Sequence, residues 1–238
     1  MNIAKILTGM TLAAAVAAPA MAQQPTRGFM VERAGVAAQG EASVDLYTND
    51  SYKGGAVRLG LGKSELILNS EKAGNGSSNS EAVFKLGLSS LQGLSEMKHG
   101  LAVYAGVAVF DEDSVGGESY NNFMIGAAFT ADMNSLLLSI APEFIIDDDK
   151  DDNYLDVGLS AHLKMAKTQY GTFQPGVEVI ATTADNKDTL VAAGVRWEYN
   201  DRLTLDIVPF QFGNAWEQED TISLPGQMRL NARFCSDQ

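Results

Sequence analysis

The chain has 238 residues, with 30 acidic and 17 basic side chains, a formal net charge of −13, 23 glycines, six prolines and one cysteine. Such acidity argues against nucleic acid, whose phosphates require a basic surface. A lone Cys235 excludes an internal disulfide, and much glycine with little proline fits many close-packed strands better than disorder.

Met1–Ala22 reads as a secretory signal peptide. Lys5 supplies the positive start, Ile6 to Ala18 an apolar stretch too short to span a membrane, and Ala20-Met21-Ala22 the small-residue cleavage pattern. No Cys follows, so lipoprotein processing is not expected. Removal of Lys5 with this segment takes the net charge from −13 to −14. No later apolar run is long enough for a spanning helix.

Residues 23–40 form a leader without an assigned structure; FMVERAGVA within it admits a short strand or a plug-like segment. From Glu41 the pattern becomes strand, break, strand. Twelve strands are predicted over 41–47, 55–61, 64–70, 81–91, 100–110, 120–131, 135–146, 153–166, 173–184, 189–199, 203–212 and 221–234. Most have the roughly 9–11 residues that a tilted strand needs to cross a bilayer. The shortest are 55–61 and 64–70, so ten strands is the alternative count.

The breaks alternate in character. The set 62–63, 92–99, 132–134, 167–172 and 200–202 is mostly short. The set 48–54, 71–80, 111–119, 147–152, 185–188 and 213–220 is mostly longer or more acidic. Short periplasmic turns and longer outside loops are the habit of outer-membrane barrels. That places both termini in the periplasm. His99 falls in one of the short breaks and is expected to be a solvated turn residue.

The strands alternate in polarity as well. In 154–165, Leu155, Val157, Leu159, Ala161, Leu163 and Met165 share one face, and Asp156, Gly158, Ser160, His162 and Lys164 the other. A soluble periplasmic sandwich or barrel would also alternate. Strand length, loop asymmetry and aromatics near strand ends favour the membrane. Phe129, Phe173, Trp197, Tyr199 and Phe234 fall at the predicted periplasmic interface. Phe110, Phe123, Phe144 and Phe210 lie toward the other end, and parity turns Phe110 and Phe210 inward.

By this pattern residues 41–234 resemble bacterial outer-membrane β-barrel proteins as a class. The resemblance implies an all-β, antiparallel up-and-down transmembrane barrel in the Gram-negative cell envelope. Its expected partners are membrane lipids, lipopolysaccharide and the barrel-insertion machinery, with a small solute if the barrel is open. Barrels of this class usually end on an aromatic; here Phe234 is followed by a tail, 235–238.

Three groups of residues are candidates for chemistry. Parity places Arg58, Lys85, Asp156, His162, Lys164, Glu178, Arg196, Glu198, Asp206, Arg229 and Arg233 on the polar, lumen-facing side. A mixed-charge lining suits a narrow solute channel; an internal ion-pair network that closes the barrel is the alternative, as in a structural or adhesive protein. Ser160, His162 and Glu178 contain the parts of an activated nucleophile. They resemble twelve-strand outer-membrane phospholipases only loosely, since that family has His before Ser, a lipid-facing pair and an Asn-His-x-Ser-Asn-Gly stretch that this chain lacks. Asp147, Asp149 and Asp151 have the odd spacing of a calcium loop but lack the required Gly and Glu, which leaves a weak divalent site or a solvated acidic loop. No cofactor motif is present, so no cofactor is expected.

The hairpin Thr189–Phe212 gives the sharpest structural expectation. Parity favours a three-residue loop, Asn200-Asp201-Arg202, pairing Tyr199 with Leu203, Trp197 with Leu205 and Val195 with Ile207. It sets Arg196 opposite Asp206 inside the barrel.

Overall fold

A computed structural model describes residues 29–235 except 49–51, 75, 93–96, 112–118, 148–152, 186–187 and 214–226. The predicted signal peptide, Asp149 and Asp151 lie outside these residues. Twelve antiparallel strands follow one another: β1 (Glu41–Thr48), β2 (Tyr52–Gly60), β3 (Ser64–Ala73), β4 (Ser78–Gln92), β5 (Met97–Asp111), β6 (Tyr120–Met133), β7 (Leu136–Asp147), β8 (Asn153–Leu163), β9 (Thr172–Thr182), β10 (Leu190–Asn200), β11 (Leu203–Phe212) and β12 (Gln227–Cys235). Each pairs with its neighbour, and β1 pairs with β12, so the sheet closes into a barrel and leaves no edge.

Closure turns the alternation into two surfaces. Leu46, Phe84, Ile125, Ile140, Phe144, Leu159, Val177, Ile207, Met228 and Leu230 project outward and are exposed. Their strand neighbours Asp45, Lys85, Ser139, Ser160, Glu178, Asp206 and Arg229 project inward and are buried. Large apolar groups outside and charge inside reverse the arrangement of a soluble barrel. This is the distribution that a hydrocarbon surround demands.

Two irregularities correct the parity argument. Ala193 pairs with Phe210 and Val195 with Ile207, so β11 carries an extra residue at Val208-Pro209. The bulge buries Val208 and turns Phe210 outward, where it is 52% exposed, against the expectation that it points inward. At the hairpin, Asn200 rather than Tyr199 pairs with Leu203. Tyr199 is the bulged residue, and the turn is the two residues Asp201 and Arg202. Asn200 Oδ1 accepts hydrogen bonds from the N–H of Arg202 (2.8 Å) and of Leu203 (2.9 Å), which stabilises the tight turn.

Smaller shifts occur elsewhere. β12 extends to Cys235, which pairs with Glu41, so this residue belongs to the barrel and not to a tail. His99 lies in β5, paired with Ala131 and stacked on Phe129, not in a turn.

The leader holds the largest departure from a simple barrel. Phe29, Val31, Arg33, Ala34 and Ala37 are almost fully buried, because residues 29–38 run inside the lumen. Val31 packs against Ile67, Val83, Tyr104, Ala128 and Ala141 from five consecutive strands, β3 to β7. Phe29 packs against Ala192 and Val208 on the far wall. The plug-like alternative for this segment is therefore the one adopted.

Candidate functional site: a lumen occupied by the N-terminal segment

Pairing brings a set of charged side chains to the middle of the lumen. Arg58 from β2 and Lys85 from β4 flank Glu65 of β3. Arg58 Nη1 lies 2.9 Å and Lys85 Nζ 3.4 Å from Glu65 Oε1, and Asp45 of β1 stands 3.8 Å from Arg58 Nε. Across the barrel, Arg196 Nε and Nη2 donate to the two oxygens of Asp206 at 2.7 Å each. That is the pair expected from the hairpin register, and its fork geometry satisfies both carboxylate oxygens. Lys164 bonds Asp132 near the short-turn end, and Arg233 faces Glu41 at 3.8 Å. Arg229 lies over the Tyr47 ring, 4.9 Å from its centroid. Asp156 and Glu198 also sit on the inward face.

The N-terminal segment is held by these walls through polar contacts all round the circumference. Glu178 of β9 is completely buried and accepts three consecutive backbone N–H groups: Phe29 at 2.7 Å, Met30 at 2.6 Å and Val31 at 2.8 Å. Arg229 Nη1 donates to the Phe29 carbonyl at 2.9 Å. Glu32 reaches the opposite wall, where its carboxylate meets Arg58 Nη2 at 2.6 Å and Lys85 Nζ at 3.1 Å. Ala34 N–H donates to Thr130 Oγ1 (2.9 Å) and Ala37 N–H to Glu65 Oε2 (2.8 Å). The chain then leaves the lumen at Gly40, whose φ of 76° turns it into β1. Gly60 makes room for this exit, since a Cβ there would overlap the Ala38 carbonyl.

One member of the segment is poorly matched. Arg33 is buried, and none of its three guanidinium nitrogens meets an acceptor among the described residues. A buried cation without hydrogen bonds opposes the seating of the segment.

Ser160, His162 and Glu178 converge on the wall beside the segment. Ser160 pairs with Glu178 across β8 and β9, and His162 Nε2 lies 2.7 Å from Glu178 Oε1. Ser160 Oγ has no hydrogen-bond partner among the described residues, so the nucleophile–base contact is missing. Phe29 covers the imidazole with ring centroids 4.5 Å apart, and the segment's N–H groups take up the carboxylate. Gly176 lets the His162 ring lie flat against β9, because any Cβ there would overlap it. Of the acidic loop, Asp147 is buried at the end of β7. No group of metal-ligating side chains occurs among the described residues.

On the outer face, Phe173 stacks on Trp197 (6.2 Å) and Trp197 meets Tyr199 edge-on (5.6 Å). Trp197 Nε1 donates to the Tyr170 carbonyl at 2.6 Å. Phe129 and Phe234 are exposed toward the same end of the barrel. Sequence reasoning named the polar wall but missed Asp45, Glu65 and Thr130 on it, although the period of two in β1, β3 and β6 places them there. It also missed Phe29 and Glu32. Nothing local identifies their wall partners, which lie on β2, β4 and β8 to β12.

No family model matches the chain, and neither does any curated protein. Solved structures similar to it include a KdgM porin in complex with disordered oligogalacturonate, at 11% identity and a TM-score of 0.49. A second is a KdgM porin at 10% identity and a TM-score of 0.48. Each likeness covers 83% of this chain and 99% of the other.

Proposed function

We propose that this protein is an outer-membrane solute channel with a mixed-charge lumen, closed in this state by residues 29–38 of its own chain. The observation that carries the reading is how the lumen is filled. The wall is lined with ion-paired and hydrogen-bonding side chains, and the occupant is a segment that precedes β1 and is not itself a strand of the barrel. Displacing the segment would leave a polar passage between Arg58, Lys85, Glu178, Arg196, Asp206 and Arg229.

The apolar outer belt and the Phe173–Trp197–Tyr199 cluster support seating in a bilayer, with lipid and lipopolysaccharide as the surrounding partners. The short-turn end would then face the periplasm, as would both termini. Phe234, outward in the closing strand, is the aromatic available to the insertion machinery.

A planar-bilayer recording tests the channel. The wild-type chain gives rare, brief steps, and a Glu32→Ala/Glu178→Gln variant gives discrete, long-lived ones. A silent variant, with its barrel verified by the change in gel mobility on boiling, refutes the channel. It would leave a structural or adhesive barrel, a reading that the buried Arg196–Asp206 and Arg58–Glu65 pairs favour because they tie neighbouring strands together.

A further inference from the structure

We infer that the lumen is a binding cleft for a peptide segment bearing an acidic side chain, with residues 29–38 as its resident occupant. The inference rests on the proposed release of this segment and names the ligand class that could take its place. Three features of the wall specify a peptide. Glu178 presents one buried carboxylate to three successive backbone N–H groups, within 2.6–2.8 Å of each. Amide N–H groups in sequence supply that donor array, and the carboxylate is kept in place by His162 on the same wall. Arg229 adds a donor for a backbone carbonyl beside it. Further along, Thr130 and Glu65 accept the N–H groups of Ala34 and Ala37, so acceptors recur along the path of a main chain.

Side-chain recognition involves Phe29, which packs on Ala192, Val208 and the His162 ring, and two further positions. Arg58 and Lys85 receive the carboxylate of Glu32, two cations converging on one acidic group, with Glu65 bridging them from behind. The next position upstream, Val31, enters an apolar niche of Ile67, Val83, Tyr104, Ala128 and Ala141. Elsewhere the segment is held mainly through its backbone. The cleft is therefore matched to a short segment with an aromatic residue two positions before an apolar one that is followed directly by an acidic one.

The test uses the full chain with a protease site inserted between Gln39, which is exposed, and Gly40. The folded barrel is nicked in detergent, and a labelled synthetic peptide with the sequence of residues 28–38 is added. Saturable exchange of the nicked segment for the peptide is expected, and the same peptide with Glu32→Gln should compete at least tenfold less well. A nicked segment that never exchanges, or equal competition by the Gln peptide, overturns the inference. So does an acidic oligosaccharide that competes as well as the peptide. Should the insertion prevent folding, hydrogen exchange on the uncut chain serves instead. Excess peptide should then speed exchange at the N–H groups of Phe29–Val31 at least tenfold, and an unchanged rate overturns the proposal. The channel can fail separately. Peptide exchange in a barrel that never conducts refutes the channel and keeps the cleft; conductance without peptide exchange does the reverse.

Discussion

Glu178→Gln is the perturbation that discriminates best, because it changes one atom's chemistry and almost no volume. In the native lumen, Oε1 accepts from Phe29 N–H and contacts His162 Nε2, while Oε2 accepts from Met30 and Val31. Glutamine retains one oxygen. If that oxygen keeps Phe29 and His162, the amide NH₂ faces two N–H donors that can no longer be satisfied. Each unpaired buried donor costs about 1–3 kcal/mol, and relaxation makes the two less than additive. A loss of about 3 kcal/mol shifts the seated-to-released equilibrium roughly a hundredfold, at about 1.4 kcal/mol per decade. Arg33 is buried in the seated state, so tryptic cleavage between Arg33 and Ala34 reports release. Cleavage that is slow relative to reseating tracks the released population and should accelerate by about the same hundredfold. Open probability in bilayers should rise with it. Unchanged cleavage and conductance in a barrel that still shifts on boiling would show that Glu178 does not hold the segment.

Gly60→Val should eject the neck of the segment without opening the barrel wall, since the new Cβ would overlap the Ala38 carbonyl; tryptic cleavage after Arg33 should then become fast while gel mobility stays native. Arg196→Ala should destabilise the barrel by about 3–5 kcal/mol by stranding Asp206, whereas Arg196→Met with Asp206→Leu should recover most of that loss, as read from the temperature at which gel mobility changes. Leu230→Arg places a cation on the outward belt and should cost about 2–4 kcal/mol if it lies near the bilayer midplane, measured by folding into vesicles; a neutral effect would refute the membrane surround. Arg33→Met removes a buried cation with no acceptor and should slow cleavage after a lysine engineered at position 36, because the segment then seats more firmly.

The barrel itself was legible in the sequence because its rule is local. Each strand alternates with a period of two set by backbone geometry, so the outward Leu155, Leu159 and Leu163 and the inward Asp156, Ser160 and His162 could be sorted without knowing any partner. The Arg196–Asp206 pair followed from the same parity over a ten-residue separation. Bulges broke the rule where one strand gained a residue on its neighbour, at Tyr199 and at Val208-Pro209, and the second of these sent Phe210 outward. Such steps depend on how two strands twist against each other, and alternation within one strand carries no record of that.

What fills the barrel was a matter for tertiary structure alone. Residues 29–37 have no alternation, and the side chains that bond their backbone lie far along the chain. Glu178 lies 149 positions from Phe29, and Arg229 lies 200 positions from it. The sequence therefore determined a polar-lined barrel with an apolar coat, since each strand states its own two faces. Only closure of the barrel brought β2, β4, β6, β9 and β12 around one short segment. That convergence placed residues 29–38 inside the barrel.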